Sequence, residues 1–108
     1  MKNLTALSRA ALALQPDSIR NASQRRIDRF WRSMKIGDPD ECWPWIGNKI
    51  DGYGQVTFLK VSLRSHRVAY ALHHGGITTD QGVLHTCDNR PCCNPAHLYL
   101  GTHLQNMD

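Results

Sequence analysis

The sequence predicts a small α+β protein, with helices at the N-terminus and a β-β-α second half built around a metal-capable loop. Three observations carry this. Apolar residues recur at helical spacing before residue 36. From Cys42 onward, Gly, Pro and Asp-Gly punctuate short segments of alternating polarity. The stretch LHTCDNRPCCNPAHL, residues 84–98, gathers three cysteines and two histidines in fifteen positions.

The elements follow in order. Leu4, Leu7, Ala11 and Leu14 share a helical face, so a helix is expected over residues 1–15, ended by Pro16. A second is expected over 23–34, with Ile27, Phe30, Trp31 and Met34 on one face and Arg25, Arg29 and Arg32 elsewhere. Gly37-Asp38-Pro39-Asp40 breaks the chain, which divides it into an N-terminal helical basic arm, 1–36, and a compact domain, 37–108. CWPWIG reads as a short apolar strand or turn, Asp51-Gly52 as a turn, and YGQVTFLKVSL as a hairpin. Ser65 is a candidate N-cap for HRVAYALHH, which Gly75-Gly76 closes. Residues 82–85 read as one strand of a second hairpin. Thr102 and Gln105 fit a capping box, so a last helix is expected from Thr102, with Asn106 in its first turn.

Composition narrows the function. The 108 residues suffice for one small domain and are too few for two independent cores. The formal charge is +4, and residues 20–35 hold six basic side chains against Asp28 alone. Such a block is a footprint for a polyanion or a solvated helix face. Nothing approaches the ~20 apolar residues of a membrane span. LTALSRAALAL is broken by Ser8 and Arg9 and makes a poor signal-peptide core. The expected setting is therefore a reducing cytoplasm, with no membrane partner. There, clustered cysteines and histidines hold metal more often than they pair as disulfides.

The zinc reading has a specific ligand set. Cys87-x4-Cys92-x4-His97 offers three ligands from one loop stiffened by Pro91 and Pro95, and Cys42 is available as the fourth. Closing the long loop costs about 3–4 kcal/mol in chain entropy, against about 10–16 kcal/mol supplied by structural zinc. Cys93 should then point away as a small buried hydrophobe, the alternative being that it replaces Cys92 as ligand.

CWPWIG, DGYGQV, SHRVAYALHHG, LHTCDN, CCNPAHL and GTHLQN, in that order, resemble the HNH endonucleases of the His-Me finger (ββα-metal) class. The likeness is to their zinc-stabilised branch, found among phage-borne and homing nucleases, and runs from about Phe30 to Asp108. The resemblance implies His85 as general base, Asn106 as ligand of a catalytic divalent ion, and Cys42, Cys87, Cys92 and His97 as structural zinc ligands. It gives Arg67 a phosphate contact. The expected function is hydrolysis of phosphodiesters in DNA, most readily double-stranded, in the host cytoplasm if the chain is phage-encoded.

The chemistry agrees with those roles. A neutral imidazole can take a proton from water near pH 7, and Mg²⁺ or another hard divalent ion relieves charge on the phosphate and the leaving oxygen. Two departures stand out. Leu84 occupies the position where many HNH enzymes carry an Asp metal ligand, and the third family letter is Asn106 rather than His. Arg64, on the strand entering the helix, is a further DNA candidate, since hairpin residues can enter the major groove. Arg90 and the arm residues Arg25, Arg29 and Arg32 are candidates for phosphate or for plain solvation. His66 reads equally as a phosphate contact or as a core or helix-capping residue. Tyr53, Trp43 and Trp45 read as core before base-stacking. Two rival functions remain open: a catalytically inactive zinc-stabilised nucleic-acid-binding module, and a structural protein on the same fold. The sequence also leaves open a homodimer, which would bring two sites to one duplex.

Overall fold

The structure is a computed structural model that describes residues 12–78 and 81–101. The architecture is α+β, as expected. The backbone of Leu12 and Ala13 is helical and turns before Pro16. That proline also opens a new helix, α1 (Pro16–Arg20), at a position where a missing N–H costs nothing. The second helix, α2, spans Gln24–Trp31, with Ser23 Oγ accepting from Arg26 N at 3.2 Å. It stops three residues short of the expected end because Met34 leaves the helix to form a β-bridge with Trp45. Phe30 is the anchor of α2. Its ring centroid lies 5.1 Å from Trp31, 5.4 Å from Trp45 and 6.4 Å from Phe58. With that face buried, Arg25, Arg29 and Arg32 are exposed.

Strands β1 (Lys49–Ile50), β2 (Tyr53–Phe58) and β3 (Val61–Arg64) form an antiparallel meander. Asp51-Gly52 makes its first turn, as expected. The second turn, Leu59-Lys60, holds two non-glycine residues at φ 52° and 65°, the double left-handed geometry of a tight hairpin. No sequence signal marks it, because Asn-Gly is the usual occupant.

Helix α3 (Ser65–His74) follows β3 directly and ends in left-handed Gly75, φ 84°. Ser65 is not its cap. Arg64 occupies that position without a side-chain bond, and Ser65 is a buried first-turn residue whose Oγ accepts from Cys93 Sγ at 3.2 Å. The helix packs against β2, β3 and a second, separate sheet made of β4 (Gly82–His85) and β5 (Leu98–Gly101). A short 3₁₀ turn, Pro95–His97, leads into β5. Val68, Ala69 and Ala71 of α3 are fully buried between the sheets. The helix expected from Thr102, with Asn106, lies outside the described residues.

Gly54 marks the tightest approach in this packing. A Cβ there would run into Ser65 Oγ and the Trp45 ring. Gly54→Ala should therefore destabilise the fold by about 1–3 kcal/mol, read as a lowered urea midpoint at unchanged slope.

Candidate metal centre and cleft

Two backbone segments far apart in sequence are zipped together around the cysteines. Trp45 N donates to Pro91 O at 2.9 Å and Cys93 N to Trp43 O at 2.9 Å. Asn94 locks the same junction from inside. Fully buried, it donates through Nδ2 to Pro39 O (2.8 Å) and Glu41 O (2.6 Å), while Oδ1 accepts from Ala96 N at 2.9 Å. The Asn-Pro pair was legible as a turn, but its grip on the segment carrying Cys42 was not, because nothing local marks a partner some fifty residues away.

The result is that Cys42, Cys87, Cys92 and His97 bring their ligand atoms within 4.8 Å of one another. His97 Nδ1 lies 3.7 Å from Cys42 Sγ and 3.5 Å from Cys92 Sγ. A tetrahedral zinc, with bonds of about 2.3 Å to sulfur and 2.0–2.1 Å to nitrogen, spaces its ligands about 3.5–3.8 Å apart. His97 Nε2 donates to Asp40 O at 3.1 Å, which leaves Nδ1 as the lone-pair nitrogen facing the sulfurs. Burial pushes the Cys92 thiol pKa up to about 12 and raises that of Cys87, while the Asn89 hydrogen bond draws that of Cys42 down to about 7. Metal binding requires the thiols to lose their protons, so a divalent ion would have to offset the cost that burial places on Cys87 and Cys92. This Cys₃His cluster could hold zinc. Cys93 points away from it, buried against Ser65.

Beside the centre, a cleft of about 710 Å³ lies between the two sheets. Its walls include His85, Tyr53, Arg64, Arg67, Arg90 and Asp88. His85, half-buried, donates from Nε2 to Cys92 O at 3.0 Å, so its Nδ1 carries the lone pair. Burial lowers its pKa below the usual histidine value. His66 is 4% exposed and donates from Nε2 to Val83 O at 2.8 Å, with Nδ1 unpartnered. Burial, then the neighbouring His85, lowers its pKa to about 3. It is thus a neutral wall residue, not an open phosphate contact. Its ring centroid lies 4.6 Å from His85 and 5.3 Å from Tyr53.

The arginines divide by place. Arg64 lies over the Tyr53 ring at 4.0 Å and Arg90 at 5.1 Å, with Arg90 Nη1 donating to Asp51 O at 2.8 Å. Arg67 Nη1 donates to Gln81 O at 3.0 Å. Arg25, Arg29 and Arg32 do not line the cleft. Tyr53 as organiser of two guanidiniums was missed. Its place in DGYGQV, next to a turn, was the available signal. Asn106 is outside the described residues.

Two measurements test the metal centre. Chelating the metal should unfold the segment after Cys42, seen as loss of near-UV ellipticity that added zinc restores, and Cys93→Ser should keep one zinc per chain where Cys92→Ser does not. Asn94→Ala should weaken zinc affinity about 10–100-fold, the usual cost of losing a group that orients ligands, measured by competition with a chromogenic chelator.

Comparison with a family model bears on the part of the chain from residue 64 onward. The HNH endonuclease family model matches residues 64–108. The chain is 43% identical over 70 residues to Protein 2.8 of Escherichia phage T7, an alignment covering 60% of this chain and 45% of that protein. It is 34% identical over 70 residues to Protein 7.7 of the same phage, covering 64% and 54%. The chain spans about half the length of these curated relatives. No solved structure matches it. The segment holding His85, Cys87, Cys92 and His97 thus matches the family that the ordered motifs resemble, the HNH endonucleases.

Proposed function

We propose that this chain is a metal-dependent DNA endonuclease whose general base is His85. The observation that carries the reading is the bond from His85 Nε2 to Cys92 O at 3.0 Å. A carbonyl only accepts, so this bond commits the proton to Nε2 and leaves Nδ1 able to take one from water. Burial supports the task by favouring the neutral ring. The cleft supplies matching electrostatics, with Arg64, Arg67 and Arg90 along its walls against Asp88 alone among the described residues.

In this reading the guanidiniums bind and orient the phosphodiester, and His85 Nδ1 accepts the proton of the attacking water. Asn106 is the residue that would hold the catalytic divalent ion, Mg²⁺ or a similar hard cation. When bound, that ion supplies charge relief on the phosphate and the leaving oxygen. Structural zinc in the Cys42, Cys87, Cys92 and His97 cluster would do no chemistry and would hold Cys92 O in place under His85. Residues 1–36 would form a basic arm adding phosphate contacts through Arg25, Arg29 and Arg32, and residues 37–108 the nuclease domain.

The test is plasmid relaxation. Zinc-loaded protein with Mg²⁺ should convert supercoiled DNA to open-circular or linear form. His85→Ala, still holding zinc, should lower the rate at least about 100-fold. DNA binding by both proteins with cleavage by neither would replace this reading with a nucleic-acid-binding module.

A further inference from the structure

The bond to Cys92 O keeps the proton on Nε2 of His85 only while the ring is held toward that carbonyl, and one hydrogen bond does not by itself hold a ring there. The direction of the Nδ1 lone pair must therefore be set by what touches the ring faces. Two rings do so. His66 lies 4.6 Å away at an interplanar angle of 33°, and Tyr53 lies 6.2 Å away at 30°.

His66 is an unusual choice for a mere filler. It is 4% exposed, and its Nδ1 is buried without a hydrogen-bond partner. An orphaned buried nitrogen of this kind is costly, and a phenyl ring would avoid it. What the imidazole gains is the bond from Nε2 to Val83 O, two residues before His85 on the same strand. That bond ties the ring to β4, while Tyr53, stacked on it at 5.3 Å and 26°, sets its plane. The ring is anchored to the strand that bears His85 and lies against the His85 ring at a tilt of 33°.

We propose that His66 is a positioning residue. Its strand-anchored ring forms the wall that confines His85 to the orientation in which Nε2 meets Cys92 O and Nδ1 opens to the cleft. It rests on the nuclease reading for its catalytic consequence but not for its structural one. The role needs a flat ring at this place, and Tyr53 alone is too distant to supply the confinement. His66 itself touches no substrate.

The experiment uses the full chain, zinc-loaded, as parent, His66→Val and His66→Phe. Two-bond ¹H–¹⁵N correlation spectra of the histidine rings report the His85 tautomer directly. The parent should show a fixed Nε2–H form. His66→Val, with zinc content and fold retained, should show His85 averaged between tautomers, and His66→Phe should keep the fixed form. In plasmid cleavage, His66→Val should lower kcat about 10–100-fold with KM little changed, while His66→Phe stays within about threefold of the parent. A His66→Val protein with a fixed His85 tautomer and full kcat would overturn the proposal. So would a folded His66→Phe protein whose His85 averages, and this second arm decides the matter if the valine variant does not fold. If the parent cleaves no DNA, the nuclease reading fails while the spectra still test the wall.

Discussion

Cys92 is where the metal centre and the cleft become one object. Its Sγ lies 3.5 Å from His97 Nδ1 in the Cys₃His cluster, and its carbonyl accepts the His85 Nε2 proton at 3.0 Å. The next residue, Cys93, extends the tie by donating to Ser65 at the start of α3. Three jobs would thus fall on two neighbouring residues: holding a cation, fixing an imidazole and docking a helix. Anything that lets the loop relax at residue 92 would loosen all three. A structural ion is suited to prevent this because its bonds are short, directional and worth far more than the hydrogen bonds of a loop.

The need for such a fastener follows from the sheets. The meander β1–β3 and the hairpin β4–β5 share no strand pairing among the described residues. They are joined by α3, which packs on both, and by the zipped segments around the cysteines. A cleft at the junction of two small sheets keeps its width only if both joints hold. The helix joint is apolar, with Val68, Ala69 and Ala71 fully buried. The loop joint is polar, and Asn94 meets three backbone partners there in a buried site. A polar joint needs every partner satisfied, and Asn94 achieves this with the two short segments that carry Cys42 and His97.

What could be read from the sequence follows interaction range. The Cys₃His set was legible because metal ligands declare themselves by type and spacing. The Asp51-Gly52 turn and the Gly75 helix end were legible because backbone geometry restricts which residues fit. Ser65 misled because a serine before a helical run reads as a cap, while here its Oγ is occupied by Cys93 from 28 residues away. The end of α2 misled similarly, since Met34 keeps helical spacing yet its backbone pairs with Trp45. The Leu59-Lys60 turn, the reach of Asn94 and the wall around His85 depend on tertiary partners, and no local pattern encodes them.

The charges in the proposed function divide by how firmly they are held. Arg64 and Arg90 are fixed over one tyrosine ring, and Arg90 and Arg67 each donate to a backbone carbonyl. A guanidinium already ordered in this way loses little side-chain entropy on meeting a phosphate, so its contact is directional and survives screening better than a mobile one. Arg25 and Arg29 on α2, and Arg32 at its C-cap, stand exposed, away from the cleft. Contacts from there would act through counterion release, strong in dilute salt and weak in concentrated salt. The two groups would therefore separate on a salt titration of DNA binding. The arm would set the steepness of the curve, and the cleft would set the affinity that persists where the arm is screened out.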